Sequence, residues 1–168
     1  MRILEIIVPF AQSGRIGAAR PGAHLEDVAR ELGEPWDRGT SVGADGRPYL
    51  YAYGCLELGT CQEHCQEIRS VIVQTDWPTM EWPAREQGRV ERFSGFPAYS
   101  DVVRALGEAG CVWEEHEPLT FDDQLAIRVP ASGAEFVFAM DEGAERGEGG
   151  EPRLCSVSVA GHRPHACG

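Results

Sequence analysis

The sequence predicts an α+β protein of two tandem repeats, each a short helix followed by a three- to four-stranded antiparallel sheet, with pseudo-twofold symmetry. Residues 25–34 and 99–108 align at an offset of 74 (99 minus 25) and share Asp, Val, Arg, Leu, Gly and Glu in register. Strand-like runs joined by hairpin turns follow each copy, which favours an antiparallel sheet. We expect repeats over 1–76 and 90–168, joined by a Trp- and Pro-rich linker over 77–89.

The N-terminal segment is predicted to form a helix or strand that packs on the core. Its apolar stretch over 3–10 is short, Glu5 interrupts it, and no small-residue cleavage site follows. These features disfavour a signal peptide. No apolar run approaches the roughly 18 residues that a membrane span needs. The sequence therefore predicts a cytoplasmic protein.

Each repeat opens with a predicted helix of two or three turns. Apolar residues four positions apart give both helices one apolar face. These pairs are Val28 with Leu32 and Val102 with Leu106. Gly33 and Gly107 follow directly, where a left-handed C-cap is usual. Pro35 prevents the first helix from continuing.

Three strands are predicted after each helix. The runs are 49–53, 55–58 and 68–73 in the first repeat, and 125–129, 135–139 and 154–159 in the second. Asp45-Gly46 and the Pro130–Gly133 segment predict turns. The segment 141–152, rich in Gly and Glu, predicts a long, mobile connection between the last two strands.

Charge limits the classes of partner. The formal net charge is −12, from 27 acidic and 15 basic residues, and every basic residue other than histidine is arginine. The absence of lysine and asparagine is typical of a GC-rich bacterial genome. A chain this acidic repels phosphate backbones and anionic lipids, so neither nucleic acid nor membrane is a predicted partner. A basic protein is the favoured one.

Cysteine and histidine form two clusters that carry the main alternative interpretation. Their spacing is typical of zinc ligands. The candidate ligands are Cys61, His64, Cys65, His162 and His165. The rival interpretation is ordinary buried thiols and solvated histidines, and we favour it. No cofactor and no catalytic residue are predicted, because no nucleophile, phosphate-binding or zinc-protease motif occurs.

Tryptophans with acidic neighbours are the candidate partner-binding residues. Tryptophan anchors many interfaces, and acids complement a basic partner. The candidates are Trp36, Asp37, Trp77, Trp82, Glu114 and Glu115. The alternatives are that Trp36 and Trp113 cap the core and that the other two tryptophans hold the linker.

A family resemblance rests on the first repeat. The pattern Pro21-Gly22-x-x-Leu25-x-x-Val28-x-x-x-Leu32-Gly33-x-Pro35, followed by an antiparallel meander, resembles the α/β module of β-lactamase-inhibitor-protein-like and outer-membrane-assembly-lipoprotein-like proteins. The resemblance implies a protein-binding scaffold, in tandem as in the inhibitor proteins, with no catalytic role. The chain is also similar in character to cytoplasmic immunity proteins of bacteria.

The predicted function is therefore non-catalytic binding, as an immunity protein or inhibitor that neutralises a basic toxin or enzyme through an acidic face. Two alternatives stay open from the sequence. One is a small metalloprotein or enzyme with a Cys/His zinc site. The other is a structural subunit that homodimerises through an open sheet edge.

Overall fold

The computed structural model describes residues 3–63, 65–84, 89–140 and 150–161. The helices in these ranges are α1 (Leu4–Ser13), α2 (Leu25–Leu32), α3 (Tyr99–Glu108) and a 3-10 turn (Glu117–Leu119). The strands are β1 (Asp37–Arg38), β2 (Leu50–Tyr53), β3 (Leu56–Thr60), β4 (Ile68–Gln74), β5 (Thr79–Pro83), β6 (Val90–Ser94), β7 (Glu114–Glu115), β8 (Gln124–Val129), β9 (Ala134–Ala139) and β10 (Arg153–Ala160). The predicted α+β class is confirmed.

Eight of the strands in the described ranges form one antiparallel sheet, here called the main sheet. Their order is β1-β2-β3-β4-β10-β9-β8-β7. Strands β4 and β10 pair at the centre, from Ser156 opposite Gln74 to Ala160 opposite Ser70. The strands that follow α2 thus occupy one half, and those that follow α3 occupy the other in mirrored order.

The six predicted strand runs coincide with β2, β3, β4, β8, β9 and β10. The four other strands have weaker sequence signals. Strands β1 and β7 are two residues long and form the edges of the main sheet. The expected linker over 77–89 contains β5, which pairs with β6 as a separate hairpin. Burial explains that strand, because Met80 and Trp82 alternate toward the core.

Helix α2 begins and ends close to its predicted limits. The ring nitrogen Nδ1 of His24 accepts a hydrogen bond from the Glu26 amide at 3.3 Å, so histidine takes the N-cap position that Ser or Asp usually holds. Gly33 follows the helix with φ +86°, a conformation that glycine adopts without steric cost. Its ψ of −172° lies outside the left-handed helical region, so glycine ends the helix as predicted but not as a left-handed cap.

Helix α3 corrects the second predicted cap. Gly107 lies inside the helix, which continues to Glu108, and the left-handed residue is Gly110 at φ +72°. The Cys111 amide then donates to the Leu106 carbonyl at 2.9 Å, which closes a Schellman-type end. The helix runs on because Ala109 stands at the position that corresponds to Pro35.

One hydrophobic core joins the three α-helices to one side of the main sheet. Neighbouring strands present fully or nearly fully buried side chains to the helices in a continuous row. In register, this row is Tyr53, Leu56, Val73, Val157, Phe136 and Ile127. Helix α1 contributes Ile7 and Phe10, both fully buried, so the N-terminal segment packs on the core as predicted and does so as a helix.

Specific contacts fix the helices on the sheet. The Tyr53 hydroxyl donates to the Gly33 carbonyl at 3.0 Å, which joins β2 to the end of α2. The ring of Tyr99 meets Phe138 edge-on, with centroids 5.1 Å apart, which joins α3 to β9. Helices α2 and α3 therefore lie on the same side of the main sheet.

None of the helices in the described residues is long and apolar enough to cross a membrane.

Candidate functional site

The side of the main sheet that faces away from the helices carries the candidate site, here called the open face. Cross-strand partners point to the same side of a sheet. One register row on this side crosses every strand of the main sheet. From edge to edge it consists of Asp37, Ala52, Glu57, Ile72, Ser158, Glu135, Arg128 and Glu114.

Acids dominate this row, here called the acidic row. Asp37 and Glu114 are exposed at its ends, and Glu57 and Glu135 are partly exposed farther in. Arg128 is its single cation. Seven strand spacings of about 4.8 Å give the row a length of about 34 Å. Four carboxylates against one guanidinium make the row net negative over a length typical of a protein interface.

Local contacts orient the inner acids. Glu57 accepts a hydrogen bond from Gln74 Nε2 at 3.2 Å. Glu135 Oε1 lies 3.4 Å from His116 Nε2. Arg128 stands in register between Glu135 and Glu114, and within the described residues its buried Nε has no hydrogen-bond partner. The inner carboxylates are thus held in place and still partly exposed.

Small side chains surround Ile72 in the middle of the open face. Gly59, Ser70 and Ala160 pair across β3, β4 and β10 in the row next to the acidic row. Ser156 and Ser158 follow on β10 and are partly exposed. The centre of the open face therefore combines small side chains with Ile72, and Glu57 and Glu135 lie on its two sides.

The predicted partner-binding acids divide between the two sides of the sheet. Asp37 and Glu114 lie on the open face at opposite edges. Glu115 pairs with Ile127, so it shares the helix side with that residue, although it is exposed. The structure brings Asp37 and Glu114 into one row, and it does not bring Glu115 to that face.

The predicted tryptophans are dispersed. Trp82 is only 6% exposed and lies in the core, which removes it from any docking surface. Trp36 is 41% exposed at the β1 edge, next to Gly54. Trp77 is 53% exposed just before β5. Trp113 is partly buried against the core, in keeping with the capping alternative.

The residues of the zinc alternative are only partly described. Cys61 and Cys65 are partly buried. His64, His162 and His165 lie outside the described residues. In the described part of the chain, no three His, Cys, Asp or Glu side chains gather as metal ligands would. The zinc site stays a prediction.

Glu57 and Glu135 are the open-face residues that the sequence interpretation missed. Each sits beside an apolar alternation: Leu56 and Leu58 flank Glu57, and Phe136 and Phe138 follow Glu135. In a strand that alternates in this way the intervening position points away from the core. This signal predicts the side on which both acids lie, although it does not predict that they share a row.

Two buried ionisable groups behind the sheet give a pH prediction. Desolvation raises the pKa of the Cys55 thiol to about 12 from an ordinary 9.0, and desolvation followed by the nearby Glu34 charge raises the pKa of Tyr53 to about 12 from 10.0. The unfolded chain therefore loses these protons first. These two groups therefore leave the free energy of unfolding unchanged below about pH 9 and lower it as the pH rises toward 12.

The measurement is the urea midpoint at several pH values from 8 to 11. The Tyr53→Phe variant has one fewer group with a raised pKa, so its midpoint should fall less steeply above pH 10. Its loss of the bond to Gly33 lowers the midpoint at every pH alike and does not affect the slope. Equal slopes for the variant and the parent would contradict the assignment to Tyr53.

Comparison of the chain with protein-family models, with curated proteins and with solved structures finds no match.

Proposed function

We propose that this chain is a non-catalytic binding protein, of the immunity-protein or inhibitor kind, that neutralises a basic toxin or enzyme docked on its open face. The acidic row carries the proposal. It supplies a long, partly exposed line of carboxylates on a sheet side that the helices leave free. The fold expected from the resemblance to inhibitor scaffolds is consistent with such a surface.

Electrostatics favours a cationic partner. The acidic row lies in a chain with a formal net charge of −12, so its local field and the long-range field have the same sign. Complementary fields speed the encounter of two proteins and disfavour wrong partners. The same fields repel nucleic acids and anionic membranes. We propose that the complex forms in the cytoplasm.

We also propose that the two halves are an internal duplication. The mirrored strand order supports it, and so do the positions of the acids. Asp37 and Glu114 lie on the two edge strands, and Glu57 and Glu135 lie on the third strand from each edge. A duplicated scaffold would present similar charges twice to one partner.

Homodimerisation through a sheet edge has less support. Each edge strand is two residues long, and β7 consists of Glu114 and Glu115. Short, charged edges are a common means of preventing edge-to-edge pairing. Sizing chromatography at two protein concentrations distinguishes a dimer from a monomer.

Affinity capture tests the proposed function. The tagged chain, expressed in the cells of its source, should retain one predominant basic protein in stoichiometric amount, and moderate salt should release it because screening weakens charge pairing. The purified partner should lose its toxicity or enzymatic activity when the chain is added back. Capture of no protein, or of an acidic partner insensitive to salt, would contradict the proposal.

A further inference from the structure

Two exposed aromatic side chains lie on segments that run side by side beyond the β5–β6 hairpin. Trp77 is 53% exposed and Phe96 is 37% exposed. The last hairpin pair is Thr79 with Ser94, and Trp77 precedes it by two residues while Phe96 follows it by two. The Phe96 amide also donates to the Thr75 carbonyl at 2.8 Å, which holds the two segments together.

Phe96 has an unusual backbone. Its φ is +57°, in the left-handed region that a bulky side chain rarely adopts. Two contacts from β10 hold it there, since the Arg153 guanidinium donates to its carbonyl at 3.4 Å and the next carbonyl, of Pro97, accepts from the Leu154 amide at 2.8 Å. Strain that the surroundings impose in this way is typical of binding and catalytic sites.

Gly95 shows how close the segments are. A Cβ at this position would overlap the carbonyl oxygen of Trp77 and would come within 2.5 Å of that of Thr75. These are backbone atoms, so they cannot move aside at low cost. Glycine therefore permits a direct contact between the backbone at Gly95 and the backbone of residues 75–77.

Asp76 supplies a negative charge next to Trp77 in the chain. It is exposed, directly precedes Trp77, and follows Gln74 of the open face by two residues. A carboxylate beside aromatic rings fits a cationic side chain, above all arginine, whose planar and weakly hydrated guanidinium stacks on aromatic faces. Tryptophan is also a frequent energetic centre of interfaces.

We infer that Trp77 and Phe96 form an aromatic anchor for an arginine side chain of the partner, with Asp76 as its counter-ion. The inference rests on the proposed function, because it assigns the anchor to the same basic partner. It places the anchor at the end of β4, next to the open face. The left-handed backbone of Phe96 would present the ring to the partner.

A peptide titration tests the anchor without the partner. The probe is acetyl-Arg-Arg-amide, added at low salt to the ¹⁵N-labelled chain, and its control is the same peptide with citrulline in place of arginine. The arginine peptide alone should shift the Trp77 indole signal and the Phe96 amide signal. Asp76→Asn should raise the dissociation constant about two- to fivefold, as is usual for an exposed ion pair.

Variants distinguish binding at the anchor from nonspecific binding of the peptide. Trp77→Ala should abolish the Phe96 shift, whereas Phe121→Ala should leave it unchanged, since Phe121 is equally exposed beside an acid but lies before β8. Equal shifts from the citrulline peptide, or no shift at Trp77, would overturn the anchor. Shifts confined to Glu57 and Glu135 would overturn it and leave open-face docking standing.

A stability measurement checks the strain argument. Phe96→Gly relieves the left-handed strain while it removes the ring, so these effects offset each other and the thermal midpoint should stay within about 4 °C of the parent. The peptide-induced shift at Trp77 should shrink in this variant. A larger fall in the midpoint would assign Phe96 to packing and overturn its role in the anchor.

Discussion

Reversing two charges on the open face should slow association with the basic partner by about 100-fold at low ionic strength. The variant is Glu57→Arg with Glu135→Arg. Both side chains are partly exposed in the acidic row, where their fields add at the centre of the face. Stopped-flow mixing with the captured partner measures the association rate, and the difference should shrink as salt rises.

The matched control reverses two acids on the helix side. Glu26→Arg with Glu108→Arg changes the net charge by the same amount, and both positions are exposed on α2 and α3. This control should slow association far less, because only the long-range field changes. If both double variants slow association equally, net charge alone steers the partner and the open face is not the docking surface.

Phe136→Ala should lower the stability of the chain by about 3–5 kcal/mol, as is usual when a buried Phe is truncated. Phe136 is fully buried on β9 and stands in register between Val157 and Ile127. The thermal midpoint should fall by roughly 10 °C for a chain of this size. Calorimetry or circular dichroism measures the change.

Val137→Ala is the control for that truncation. Val137 is the next residue on β9, points to the open face and is partly exposed, so its change should cost about 1 kcal/mol or less. Leu56→Ala, in the other half, should destabilise the same transition as Phe136→Ala, because both residues belong to one core. Two separate transitions, each lowered by only one of these variants, would contradict a single cooperative core.

Much of this architecture is predictable because local chemistry determines it. Alternating apolar residues specify β3 and β9, and a glycine with positive φ ends α2 at Gly33. Weak local signals explain the failures. The edge strands are two residues long, and β5 depends on burial of Trp82, which a Pro-rich sequence does not reveal. Helix α3 ends later than the sequence predicts, because the proline that follows α2 has no counterpart after α3.

The candidate site is less predictable for a different reason. Asp37 and Glu114 attract attention through their tryptophan neighbours, yet their relation depends on strand order, a long-range property. Glu57 and Glu135 are separated by 78 residues in sequence (135 minus 57) and come into one row only through the pairing of β4 with β10. No local pattern indicates that pairing. The sequence likewise gives no signal of the left-handed backbone at Phe96, which depends on contacts with distant residues.

The central pairing of β4 with β10 has a consequence for the order in which the protein is made. Strand β4 leaves the ribosome long before β10, which supplies its pairing partners from Ser156 to Ala160. Until they emerge, the β-branched strand containing Val71 and Val73 has an unpaired edge. Such an edge is a template for pairing with other chains. The nascent first half therefore exposes this edge to pairing with other chains until the middle of the sheet closes.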